Sequence, residues 1–144
     1  MARESFSRIE ISCLEARPQS IRLRQNLFHS LHSALKSSEQ TIRDAIVDDT
    51  SHDDRDISLE YTLAIAELLA HYDSLGLEED LKSNILVNNP QATTGVGIVY
   101  IIPSKQNLFY SVISALTAAL ATGNCVVLEV LLIICAKLPK QLSC

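Results

Sequence analysis

Basic residues are scarce in this chain. Lys and Arg number 12 against 17 Asp and Glu in 144 residues, for a formal net charge of −5. A nucleic-acid binder needs a basic face to neutralise phosphates, so this balance argues against that class. Gly and Pro number four each, which leaves no collagen-like or linker composition. No C-x-x-C pair occurs among Cys13, Cys125, Cys135 and Cys144, so zinc-ribbon and thioredoxin-type motifs are ruled out. An apolar signal core is missing from residues 1–24, and Glu4, Glu10 and Glu15 among the arginines are unlike a mitochondrial presequence. The four cysteines read as reduced thiols of an intracellular protein, with a cytoplasmic location expected. What remains is 47% hydrophobic and 20% charged residues, a globular composition of one-domain length.

Charge is unevenly spread. Up to Lys82 the chain carries nine Lys or Arg and sixteen Asp or Glu; beyond it only Lys105, Glu129, Lys137 and Lys140 are charged. The front reads as solvated helices and the back as buried core. Leu23, Leu27, Phe28, Leu31 and Leu35 recur at helical spacing over residues 21–35, with Pro18 suited to the helix start. Ser37 and Gln40 have capping-box spacing before a short second helix whose face is Ile42, Ala45 and Ile46. His29 and His32 share a helix face but have no Cys or acidic ligand beside them, so they read as exposed polar positions. His52 and His71 stand alone. The acidic run 48–56 lacks the glycine of a calcium loop and reads as a solvated turn, with Asp56 or Ser58 capping the next helix. That helix is expected over 57–75, burying Leu59, Leu63, Ala66 and Ala70, with Leu68, Tyr72 and Leu75 beside them and Gly76 as its cap.

After Asn84 the pattern changes. Residues 85–87 suggest a short strand, 90–94 a loop, and the β-branched run 95–102, ended by Pro103, a buried parallel strand. A small-residue helix over 108–121 follows, then a Gly123-Asn124 turn and a second strand over 125–128. Strand, helix and strand in that span make a βαβ unit. The apolar stretch 112–138 is long enough to raise a membrane span, but Gly123, Asn124 and Glu129 interrupt it and fit a helix, turn and strand better.

Gly97-Ile98-Val99-Tyr100-Ile101-Ile102-Pro103, followed by Ala118-Ala119-Leu120-Ala121-Thr122-Gly123-Asn124-Cys125-Val126-Val127-Leu128, resembles the aldehyde dehydrogenase superfamily. That family reads G-V-V-x-x-I-x-P-W-N, then a helix, then A-L-A-x-G-N-x-V-V-L-K-P. The resemblance spans roughly residues 19–130. It implies an α/β fold in which N-terminal helices precede an incomplete Rossmann-type βαβ unit, and it sets residues 131–144 apart as a divergent apolar tail.

The resemblance also implies NAD as cofactor. Ile102, Pro103 and Ser104 match the stretch that lines the nicotinamide side of the pocket. Lys105 stands where the family has the Asn that donates to the oxyanion. Glu129 stands where the family has a ribose-binding Lys; a carboxylate there accepts from a ribose hydroxyl and disfavours a 2′-phosphate. The family's nucleophilic Cys, general-base Glu and Gly-rich turn fall downstream of the last match. Gly95-x-Gly97 precedes a strand and is therefore not a dinucleotide fingerprint. The expectation is a truncated aldehyde dehydrogenase-like protein without catalytic activity of its own. The alternative is an interaction module that binds or regulates a full-length relative. A working oxidoreductase would need the Cys and Glu from another chain. Two strands do not complete a sheet, so self-association or a partner is expected to cover the open edge.

Overall fold

The computed structural model describes residues 7, 9–11, 13, 17–50, 53–76 and 95–129. The readings at 78–80, 85–87, 90–94 and 131–144, with His52, Cys135 and Cys144, lie outside the described residues. The described chain is mostly helical with a small parallel sheet, an α/β arrangement. A 3₁₀ turn (Arg17–Gln19) leads into α1 (Ile21–Ser37), α2 (Glu39–Asp49) and α3 (Asp54–Asp73). Then come β1 (Ile98–Ile101), α4 (Leu108–Ala121) and β2 (Cys125–Leu128). The strands pair in parallel, with Ile98 opposite Cys125 and Ile101 opposite Leu128, so β1-α4-β2 is a βαβ unit. No helix among the described residues is long and apolar enough to cross a membrane.

Local chemistry sets the helix ends, and it differs from the expected signals at several of them. Pro18 sits in the preceding turn; Ser20 caps α1, its hydroxyl accepting the Leu23 N–H at 3.5 Å. The expected Ser37–Gln40 box does not form. Ser37 ends α1 and donates to the Ala34 carbonyl, while Gln40 donates to Asp44 one turn along. Asp53, not Asp56 or Ser58, caps α3: its Oδ1 accepts from the Arg55 and Asp56 amides at 3.0 and 2.9 Å. Three more residues thereby join the helix, because a carboxylate satisfies two otherwise orphaned donors at its start. Ser74 rather than Gly76 closes α3.

The core lies where α3 meets α1, α2 and α4. Phe28, Leu31 and Leu35 of α1 meet Ile42 and Ile46 of α2, Ile57, Tyr61, Ala64 and Leu68 of α3, and Phe109 and Ile113 of α4. Tyr61 stacks on Phe109 (centroids 5.8 Å apart, planes 7° apart) and donates to the Leu35 carbonyl at 3.2 Å. The expected stripe on α3 is corrected by this arrangement. Leu59 and Leu63 are 57% and 46% exposed, and Ala66 and Ala70 are exposed as well. The buried face contains a glutamate, Glu60, which breaks the apolar period and shifts it onto the neighbouring face.

The strands are shorter and more open than expected. Pairing covers 98–101 rather than 95–102. Val96, Tyr100 and Ile102 are 86%, 57% and 70% exposed, and of these only Tyr100 lies within paired β1. Ile101 and Pro103 are buried. Within the paired strands Tyr100 is exposed, Ile101 is buried and all four residues of β2 are half-buried.

Replacing Leu59 and Leu63 with glutamate should alter unfolding free energy by no more than about 0.5 kcal/mol per site. Leu68→Ala should cost about 2–5 kcal/mol. Urea unfolding of the three variants decides this, and a larger loss at Leu59 or Leu63 would reverse the assignment of the buried face.

Candidate functional site

In an open α/β sheet, ligands meet the carboxyl ends of the strands. The parallel register brings the segment after Ile101 and the segment after Leu128 to the same end of the sheet. Ile102, Pro103, Ser104, Lys105 and Glu129 therefore share that end. Pro103 has no N–H and stops the ladder of β1. Beyond β2 the Glu129 N–H still donates to the Ile101 carbonyl at 2.9 Å, which fixes the start of the Glu129 side chain.

Each candidate residue already has a local role or faces water. The Ser104 N–H donates to Ser111 Oγ at 3.1 Å, and Ser104 Oγ accepts the Gln106 N–H at 3.3 Å. Ser111 in turn donates to the Leu108 carbonyl, so the two serines tie the loop to the first turn of α4. Ile102, Ser104 and Lys105 are exposed. Glu129 Oε2 accepts the Tyr100 hydroxyl at 2.6 Å, a bond between neighbouring strands on the open face. That hydrogen bond, ahead of desolvation and the carboxylate's charge, raises the Tyr100 phenol above its ordinary value of 10.0.

The start of α4 is also occupied. Glu60 of α3, 7% exposed, accepts the Tyr110 N–H at 3.1 Å, and the Tyr110 hydroxyl donates to Glu67 at 3.2 Å. Asn107 makes no side-chain cap of its own. A carboxylate at a helix N-terminus takes the place a phosphate would use and repels one. Glu129 is thus an acceptor already shared with Tyr100, and Glu60 occupies the start of α4. No group of three or more His, Cys, Asp or Glu among the described residues is placed to hold a metal ion.

The opposite end of the sheet is built around glycine and Asn124. Asn124 is buried; its Oδ1 accepts the Gly97 N–H at 3.1 Å, and its Nδ2 donates to Thr122 Oγ1 at 2.7 Å and to the Ala119 carbonyl at 3.3 Å. Gly95 lies so close to the Gly123 carbonyl that a Cβ would sit 2.5 Å from its oxygen. Gly123 has φ +77°. Both glycines serve close backbone approach. Arg24 of α1 donates from Nη1 to the Ala121 carbonyl at 2.7 Å, placing a cation at the C-terminus of α4. A cavity of about 140 Å³ lies here, lined by Cys13, Pro18, Gln19, Gly95, Val96, Gly97 and Gly123, and is separate from the carboxyl-end residues. Sequence reasoning passed over Glu60, Tyr100 and Arg24. Only the acid in an otherwise apolar helical face signalled the first.

Asn124→Ala should cost about 1–3 kcal/mol in urea unfolding, because it leaves the Gly97 N–H without its acceptor. Tyr100 should ionise above pH 10.0, and Glu129→Ala should bring it back toward that value in a spectroscopic titration. A raised folded value means stability is complete below the ordinary tyrosine pKa and declines as pH rises through the raised one. An unchanged Tyr100 titration in the variant would show that the bond does not hold in solution. Comparison with family models, with curated proteins and with solved structures finds no match to this chain.

Proposed function

We propose that these 144 residues form an aldehyde dehydrogenase-like unit, Rossmann-type in its βαβ part, that does not itself oxidise aldehydes. The observation that carries this reading is the separation of thiol and oxyanion donor. Cys125 is the first residue of β2 and pairs with Ile98, and Cys13 Sγ reaches the Gly97 carbonyl. Lys105 lies beyond the other end of β1. The three rises of about 3.3 Å between the first and last of the four paired residues put about 10 Å of strand between the ends, before the further step to Lys105. A nucleophile and its oxyanion donor must meet at one carbonyl, within about 3 Å of each. The two described cysteines therefore cannot use Lys105.

The strand carboxyl ends, where the resemblance would put NAD, fit the same reading. Glu129 replaces a cationic ribose contact and is engaged by Tyr100, and Glu60 holds the α4 N-terminus. Calorimetric titration of the full chain with NAD should give no saturable heat in the micromolar range, and an aldehyde with NAD should give no NADH absorbance. Saturable binding accompanied by turnover would overturn the proposal.

A second reading is favoured by the exposed apolar residues Val96, Tyr100 and Ile102 in and beside β1. In it the chain is an interaction module that docks on a full-length aldehyde dehydrogenase relative by β-augmentation or apolar contact. Mixing the two proteins and passing them over a sizing column tests it: co-elution supports docking, and independent elution removes it.

A further inference from the structure

Two cysteines meet one backbone carbonyl, that of Gly97, at the end of the sheet away from Lys105. Cys13 Sγ lies 3.6 Å from the Gly97 carbonyl oxygen. The same oxygen accepts the Cys125 N–H at 2.8 Å. Cys125 Sγ lies 3.9 Å from the Ile9 carbonyl oxygen. Ile9 and Cys13 are both helical and one turn apart. A helical side chain leans over the turn before its own Cα, so Cys13 leans toward the turn that Cys125 touches. The Cys13 sulfur thus touches the carbonyl that bonds the Cys125 amide, and the Cys125 sulfur touches a carbonyl one helical turn before Cys13. Both residues are half-buried, and Cys13 also lines the cavity of about 140 Å³.

We propose that Cys13 and Cys125 form a thiol–disulfide site whose substrate is a low-molecular-weight disulfide. The Cys13 thiolate, reached through the cavity, attacks one sulfur of the small disulfide. That S–S bond breaks, a mixed disulfide forms on Cys13, and the first small thiolate leaves and takes up a proton. The Cys125 thiolate then attacks the Cys13 sulfur and expels the second small thiol. The protein gives up two electrons and two protons, and the small disulfide is reduced to two thiols. The product joins the N-terminal helical segment to the first residue of β2, a long loop closure that restricts the unfolded chain.

The test uses the full chain with Cys135→Ser and Cys144→Ser, incubated with oxidised glutathione. Mass spectrometry after alkylation of remaining thiols should show the loss of two hydrogens and a peptide linking Cys13 to Cys125. The thermal midpoint should rise on oxidation and return on reduction, and Cys13→Ser in the same background should abolish the rise. The native chain gives the same reading if the double variant does not fold: Cys13–Cys125 should be its dominant intramolecular link. Glutathione left on separate thiols, links between chains, dominant pairing with Cys135 or Cys144, or no reaction would each overturn the proposal.

Discussion

The hydrogen bond from the Tyr110 N–H to the Glu60 carboxylate joins the two halves of the described structure. It decides which face of α3 is buried, because Glu60 has to point at the first turn of α4. Ile57, Tyr61, Ala64 and Leu68 then follow Glu60 into the core, and Leu59 and Leu63 are left outside. It also sets the position of α4, whose start has no side-chain cap from its own sequence. Burying a carboxylate is costly unless it is hydrogen-bonded, and a helix N-terminus is one of the few apolar-flanked places that bonds it well. Tyr61 stacking on Phe109 beside it closes the same junction with apolar contact.

At the other end of α4 the constraint is close backbone approach. Gly95 and Gly123 leave no room for side chains between them, and Asn124 stitches the turn before β2 to the residue before β1. Arg24 holds the last turn of α4 from α1. One helix is thereby anchored at its start by an acid and at its end by a base, each from a different helix of the front half. The strand carboxyl ends are what this anchoring presents to solvent. Their polar groups are largely spent on local bonds, Ser104 with Ser111 and Glu129 with Tyr100.

Much of this was legible from residue order. Phe28, Leu31 and Leu35 occupy the core as their spacing requires, as do Ile42, Ala45 and Ile46. The βαβ order, its parallel pairing and the Gly123-Asn124 turn were readable because strand and helix periods differ and because glycine marks a φ that other residues avoid. The face of α3 was not readable, since a period count treats Glu60 as a solvent position and Leu59 as a core one. The cap of α3 falls at Asp53 rather than at Asp56 or Ser58 because several hydroxyls and carboxylates compete there, and side-chain geometry selects among them.

The candidate residues divide in the same way. Composition and pattern determined that Ile102 to Lys105 and Glu129 would follow two parallel strands, because strand direction alone places their ends together. Only the tertiary structure decided what those groups are bonded to: Glu129 meets Tyr100 through cross-strand neighbourhood, and Glu60 reaches α4 from far along the chain. Cys13 and Cys125 are brought to one carbonyl by the same non-local placement. Periodicity reports which local face is apolar, whereas a buried charge or a thiol takes its meaning from partners that only folding supplies.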